Sequence, residues 1–273
     1  MKKACSFKIV LILLVLFSFV LTVFVVNGVY QNRQLFKAIE KNDITDVEKT
    51  INRGAWINLR RHLLYAPNVC SFNPTPLIEA CKGGNPEIVE LLLNEGADIN
   101  KKDNFSDKTP LLAALHGTKE NRFSLAKYII EQGGDIYAVQ GKKSTLYETL
   151  YVSKNDSDKT IEEGFELFKY LLQQGVPLSV NNNSESVLTY AARYRNYNVV
   201  KYLIENEYFD VDSRDPSGDT ALITAVKYEH VSIVELLLNL GADQSLTDNS
   251  GKTAMDYASA CKNTEIIEIL TGK

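Results

Sequence analysis

A short motif returns along the chain at a period of about 33 residues, and this repetition constrains the fold more than any other feature. Each copy starts with a threonine, continues with apolar and small residues, and is followed by an aliphatic run. The clearest copies are Thr75-Pro-Leu-Ile-Glu-Ala-Cys81, Thr109-Pro-Leu-Leu-Ala-Ala-Leu115, Thr220-Ala-Leu-Ile-Thr-Ala-Val226 and Thr253-Ala-Met-Asp-Tyr-Ala-Ser259. A fixed period of this length predicts stacked repeats, an architecture more typical of binding than of catalysis.

A single repeat predicts two helices. Thr75 suits the N-cap of the first helix, and Pro76 suits its first position, where the missing N–H costs nothing. The stretch 83–85 (Gly-Gly-Asn) breaks this helix, and the aliphatic run 88–93 predicts a second helix that is apolar over a wide arc. Gly96 ends the second helix, because glycine accepts a positive φ. One such repeat leaves an apolar face uncovered, so it has to stack on a neighbour.

These motifs resemble the ankyrin repeat family, and the resemblance covers roughly residues 33 to 273. Aligned on the cap position, seven repeats start near residues 33, 75, 109, 144, 186, 220 and 253. The resemblance implies an all-α solenoid of helix-turn-helix repeats joined by short hairpin loops. It also implies a protein partner.

The N-terminus carries an uncharged apolar run from Ile9 to Val26, in which only Ser18 and Thr22 are polar. Its length of about 18 residues nearly matches a hydrocarbon core of about 30 Å at a rise of 1.5 Å per residue. Asn27-Gly28 ends the run. Three lysines precede it, at Lys2, Lys3 and Lys8. The sequence therefore predicts a short cytosolic tail (1–8), a transmembrane signal anchor (9–29) and the repeat domain (30–273).

A secretory signal peptide cleaved near Gly28 is the alternative interpretation of this run, although its apolar stretch is long for a signal peptide. Both interpretations place the repeats outside the cytosol, because the positive flank is retained inside. We therefore expect a single-pass protein with its repeats in the periplasm or another extracytoplasmic space. In the alternative, the cleaved protein is periplasmic or secreted.

Composition argues against nucleic acid as a partner. The formal net charge is −4, and the chain is more acidic still once the three lysines before the apolar run are set aside. No basic stripe is present in the sequence. The three histidines, His62, His116 and His230, fall in different repeats without a Cys, Asp or Ser partner at a useful spacing. We expect no catalytic residues, metal, cofactor or small-molecule substrate, and we interpret His230 as structural.

Two insertions interrupt the period. The first, 59–74, is partly apolar and is expected either to pack on the repeats or to contact a partner. It contains Cys70, which is close enough in sequence to Cys81 for a disulfide in an oxidising compartment. Without such a bond, Cys81 is interpreted as a buried small residue of its helix. The second insertion, around 153–160, is polar and is expected to form a solvated loop.

The resemblance also indicates where a partner would bind. In ankyrin-like arrays the concave face comprises the hairpin tips and the end of each first helix. Counting from the cap of three successive repeats places five residues on this face: Tyr151, Arg193, Tyr194, Lys227 and Tyr228. Aromatic and arginine side chains are favoured at interface hot spots. Packing of these side chains against neighbouring hairpins is the alternative.

The sequence thus predicts a membrane-anchored, non-catalytic scaffold that binds a protein partner outside the cytosol. One alternative is a periplasmic immunity protein that neutralises a toxin. Another is a periplasmic factor that protects against stress or supports an enzyme.

Overall fold

A computed structural model describes residues 2–61, 74–104, 106–117, 120–140, 143–151, 156–178 and 185–272, with the side chains of these residues from Leu13 onward except that of Lys143. These residues are mainly helical. The helices are α1 (Lys2–Glu40), α2 (Ile44–Asn52), α3 (Pro76–Gly83), α4 (Pro86–Asn94), α5 (Pro110–Leu115), α6 (Arg122–Glu131), α7 (Thr145–Glu148), α8 (Asp158–Gln173), α9 (Val187–Arg193), α10 (Tyr197–Glu205), α11 (Ala221–Lys227), α12 (Val231–Asn239), α13 (Ala254–Cys261) and α14 (Thr264–Thr271).

A small departure from the all-α prediction lies between α6 and α7. Strands β1 (Val139–Gln140) and β2 (Lys143–Ser144) pair antiparallel, with Val139 opposite Ser144. An isolated bridge joins Thr247 to Thr253 in a second hairpin. These pairings belong to the hairpins that connect repeats, so the helical layers are unaffected.

Side-chain caps start the first helix of most repeats. The hydroxyl oxygen of Thr75 accepts the N–H of Ile78, and the same bond recurs three residues beyond Thr109, Ser186, Thr220 and Thr253. Ser144 occupies the equivalent position before α7 but makes no such bond. Each cap satisfies a backbone donor that the helix leaves unpaired. Five of the first helices therefore begin directly after a capping hydroxyl.

The chain forms two compact units. The first comprises Met1–Lys119 with Tyr128–Asp135, and the second comprises Glu120–Lys127 with Ile136–Lys273. In the first unit α1 packs on α2 and α3, and α3 packs on α4 and α5. In the second unit α11 packs on α9, α12 and α13. Fully buried aliphatic and aromatic side chains fill the helix contacts of each unit, among them Phe36, Leu77 and Leu92 in the first and Phe168, Leu188 and Leu237 in the second.

Helix α1 continues past Asn27-Gly28, where the apolar run ends, and runs on to Glu40. Leu35 and Phe36 near its C-terminus are buried in the first unit. The large apolar side chains of residues 13–26 are instead exposed, by fractions from 42% at Val25 to 68% at Phe17. The helix is long and apolar enough to cross a membrane by length and composition. A signal sequence would meet the same criteria.

The prediction of a solvated loop at 153–160 is wrong for the second half of this insertion. Ser157 caps α8, and Thr160 is buried. Asp156 pairs with Arg122, whose side chain is only 4% exposed. The buried arginine needs a counter-charge, and this fixes the polar segment in place. Residues 152–155 lie outside the described residues.

Candidate protein-binding surface

The five residues predicted to bind a partner all lie in the second compact unit. Arg193 and Lys227 are the last residues of α9 and α11, and Tyr194 and Tyr228 follow them directly. Tyr151 follows α7 after a short turn. Tyr151 and Tyr228 are 49% and 44% exposed, while the other three are half-buried. We call these five residues the tyrosine surface.

The aromatic rings of this surface continue into the core. The ring centroids of Tyr151 and Tyr194 are 5.4 Å apart, and Tyr194 lies 4.6 Å from Tyr190. Tyr190 in turn contacts Tyr147 edge to face at 5.1 Å. Tyr147 and Tyr190 are buried, and burial raises the pKa of both phenols above the usual value. The exposed ring of Tyr151 is therefore connected through the half-buried Tyr194 to the buried rings of Tyr190 and Tyr147.

Sequence reasoning missed Tyr147 and Tyr190. Both lie inside first helices, where the clearer repeats carry aliphatic or small residues such as Ile78 and Ala113. A tyrosine at such a position is the available signal that an aromatic cluster replaces the ordinary core there. Edge-to-face and tilted pairs of this kind stabilise by about 0.5–1.5 kcal/mol beyond their buried area.

Arg193 lies between the rings of Tyr194 and Tyr228. Its guanidinium carbon lies 4.9 Å from the ring centroid of Tyr228 and 5.7 Å from that of Tyr194. Nη1 donates to Glu185 at 2.8 Å, so the charge is balanced by an acid just before the α9 cap. The ion pair and the two cation–π contacts together hold the arginine between the rings.

Lys227 is turned toward acids of the neighbouring hairpins. Its Nζ donates to Asp219 at 2.7 Å and to Asp248 at 3.3 Å, and it lies 4.3 Å from the ring centroid of Tyr257. Partial burial works to lower the pKa of Lys227, but the hydrogen bond and charge of Asp219 outweigh it and raise the pKa. The charge of Lys227 is already balanced within the repeats.

His230 joins adjacent repeats, as its structural interpretation predicts. It occupies the N-cap position of α12, and its Nε2 donates to the backbone carbonyl of Arg193 at 2.8 Å. Its ring stacks beside Tyr228, with centroids 6.3 Å apart. The histidine thereby fixes the position of Tyr228 relative to α9.

A groove of about 790 Å³ opens beside the tyrosine surface. Tyr194, Tyr197 and Tyr228 supply its aromatic lining, and acidic and basic side chains supply its polar rim. The Arg122–Asp156 pair supports this rim, because Arg122 Nη1 donates to Asp156 at 2.7 Å and Nη2 donates to the carbonyl of Tyr151 at 3.2 Å. The groove thus presents aromatic rings beside a polar rim that the Arg122–Asp156 pair holds in place.

The predicted disulfide and the question of metals concern other parts of the chain. Cys81 is buried in α3, and burial raises the pKa of its thiol. Cys70 lies outside the described residues, so its pairing with Cys81 stays a prediction. Among the residues that the structure describes, no group of His, Cys, Asp and Glu side chains could hold a metal ion.

A family model described as "Ankyrin repeats (3 copies)" matches residues 35–140, 159–215 and 207–273. The protein belongs to the ankyrin repeat family. The human ASB11 ankyrin repeat domain has the same fold, with a TM-score of 0.63, 22% identity, and coverage of 86% of this chain and 96% of that one. In the ankyrin repeat family the fold is generally a non-catalytic scaffold for protein–protein interaction.

Two similar proteins come from an animal and a virus. The ankyrin repeat and KH domain-containing protein mask-1 of Caenorhabditis elegans is 30% identical over 204 residues, which are 72% of this chain and 7% of that protein. The ankyrin repeat protein OPG189 of Vaccinia virus (strain Copenhagen) is 27% identical over 201 residues, which are 73% of this chain and 33% of that protein. This ankyrin repeat chain thus spans a third or less of the length of either relative.

Proposed function

We propose that this protein is a non-catalytic, membrane-anchored scaffold whose ankyrin repeats bind a protein partner outside the cytosol through the tyrosine surface. The observation that carries the proposal is the joining of Tyr194 and Tyr228 by Arg193. Tyrosine is among the residue types that dominate interface hot spots. Their contacts hold them in place before a partner arrives, which reduces the entropy that binding has to overcome.

The two cations of the surface have different roles from the rings in this proposal. Arg193 and Lys227 are paired with Glu185 and with Asp219. A charge that is already balanced gains little from a second partner, so these cations position the tyrosines and the hairpins. The tyrosines supply most of the contact area.

Membrane anchoring rests on the exposed apolar face of α1 and on the lysines before it. An apolar face of this extent is costly in water. Positive flanks are retained in the cytosol, which puts the repeats on the other side. The contacts of Asn27 and Gly28 with the first repeat support retention of α1, since cleavage near Gly28 would remove groups that pack on the folded chain.

A pair of reporter fusions tests the topology. An enzyme that is active only outside the cytosol, fused after Lys273, should be active, and the full chain should stay with membranes after a carbonate wash. Activity of a cytosol-only reporter at the same place would overturn the orientation. Release of a soluble protein with a new N-terminus near Val29 would replace the anchor by a cleaved signal peptide.

Affinity capture from solubilised membranes tests the binding role. The full chain should retain one stoichiometric protein, and the double variant Tyr194→Ala/Tyr228→Ala should lose it. An exported toxin as that protein would favour the immunity role, and a resident enzyme would favour the supporting role. Equal capture by the wild type and the double variant would exclude the tyrosine surface as the binding site.

A further inference from the structure

The turn that follows α2 packs against α1 at the level where the apolar run ends. The ring centroids of Trp56 and Phe24 are 6.1 Å apart. One turn further along α1, a Cβ built on Gly28 would come within 2.5 Å of Cε2 of Trp56. Only a glycine permits this approach of the indole. Trp56 therefore lies beside the last turn of the segment that is long enough to span a membrane.

Side-chain amides fasten this turn to α1. Asn32 is fully buried, its Nδ2 donates to the carbonyl of Trp56 at 2.9 Å, and its Oδ1 accepts the N–H of the same residue. Asn27 Nδ2 donates to the carbonyl of Arg53 at 3.2 Å. Because α1 itself continues without interruption to Glu40, one helix belongs to both the apolar segment and the first repeat.

We infer that the turn 53–56 lies in the headgroup layer of the membrane that α1 crosses, with the Trp56 indole in the interfacial zone. The inference rests on the membrane anchoring proposed above. Tryptophan and tyrosine favour this zone because an apolar ring and a polar N–H or O–H meet two environments there. Tyr30, 56% exposed and two residues beyond Gly28, belongs to the same belt, and the exposed Arg53 places a cation at phosphate level.

This arrangement has a consequence for the repeats. An attachment through one continuous helix sets the direction in which the first repeat leaves the bilayer. The turn 53–56 of the first repeat then contacts lipid headgroups directly. Lipid, rather than another protein or a second copy of the chain, covers the part of the half-buried Trp56 indole that the repeats leave open.

The chain contains one tryptophan, so its fluorescence reports on this site alone. The full-length protein is reconstituted in phosphatidylcholine vesicles that carry a doxyl quencher either near the headgroup or near the end of the acyl chain. The matched control is Trp56→Phe/Phe17→Trp, which moves the single tryptophan to an exposed position inside the apolar segment. The ratio of shallow to deep quenching is measured for each protein, together with quenching by aqueous iodide.

The inference predicts a ratio of shallow to deep quenching above one for the wild type and below one for the control. It also predicts that Trp56 emits at a shorter wavelength than tryptophan in water. If the protein sediments with vesicles but Trp56 is quenched by iodide alone, the turn stands in water and the inference fails while the anchor survives. Protection from all three quenchers would show that protein covers the indole, which also overturns it. Failure to sediment with vesicles would overturn the anchor and the inference together.

Discussion

At the residue scale, Arg193 and Lys227 are each held by an acid that precedes their own helix. Counting from the cap places Arg193 and Lys227 at the same position in successive repeats, and the structure puts both at helix ends. Their counter-charges, Glu185 and Asp219, stand immediately before the caps of the same helices. Each of these helices is 7 residues long, so the cation at its end reaches the acid before its cap, 8 positions earlier in the chain.

Removal of the Lys227 charge should destabilise the second compact unit. In Lys227→Met, Asp219 and Asp248 lose a shared donor while they stay close together, which costs about 1–3 kcal/mol of the free energy of unfolding. Urea denaturation measures the loss. Lys201→Met is the matched control, because Lys201 forms an exposed pair with Glu205 that contributes about 0.3–0.5 kcal/mol. Equal stability of the two variants would contradict the role assigned to Lys227.

The contribution of Asp248 should depend on pH. A hydrogen bond from Ser250, and a smaller contribution from the hydrogen bond of Tyr257, hold the pKa of the Asp248 carboxyl well below its usual range. A lowered pKa stabilises the fold above the unfolded-state pKa of about 3.9, and this contribution fades as the pH falls toward the folded-state pKa. The stability gap between the wild type and Asp248→Asn should therefore narrow as the pH falls below about 4. A gap that is constant from neutral to acidic pH would argue against this account.

At the element scale, local signals predicted helix starts better than helix extents. Thr75 and its equivalents mark the starts because a hydroxyl cap is a local interaction. The start of α8 lies inside the segment predicted to be a loop, because the polar residues there are ordered by Arg122, which lies in another repeat. The continuation of α1 through Gly28 was also missed. A glycine at position 28 indicates a helix end by propensity, but the close approach of Trp56 explains why a glycine is needed inside the helix.

The buried pair between the start of α6 and the segment before α8 gives an element-scale prediction. Arg122→Met leaves Asp156 without its buried counter-charge and should lower the free energy of unfolding by about 3–5 kcal/mol. The double variant Arg122→Met/Asp156→Leu removes both charges and should recover much of this loss. Denaturation of the two variants measures the difference. If the double variant is no more stable than Arg122→Met, the pair is not the cause.

At the scale of the whole molecule, the repeated motifs resemble the ankyrin repeat family, the resemblance implies a mainly helical fold, and both are confirmed. A period determines which side chains recur at equivalent places, so it is a strong signal for an array. It carries no information on the partner, on the orientation in a membrane, or on the pairing of Cys70, and these stay predictions. The tyrosine surface stays a proposal for the same reason, since binding depends on a second molecule.

The most direct test of that proposal is the affinity of the captured partner for Tyr228→Ala compared with Tyr208→Ala. The two side chains are 44% and 45% exposed, but only Tyr228 lies on the tyrosine surface, while Tyr208 stacks on Tyr202. Isothermal titration should show binding weakened by about 2 kcal/mol or more in Tyr228→Ala, as expected for a hot spot, and unchanged in Tyr208→Ala. The melting temperature of Tyr228→Ala should change little. A large drop in its melting temperature with unaltered affinity would show that Tyr228 is a packing residue and would contradict the account.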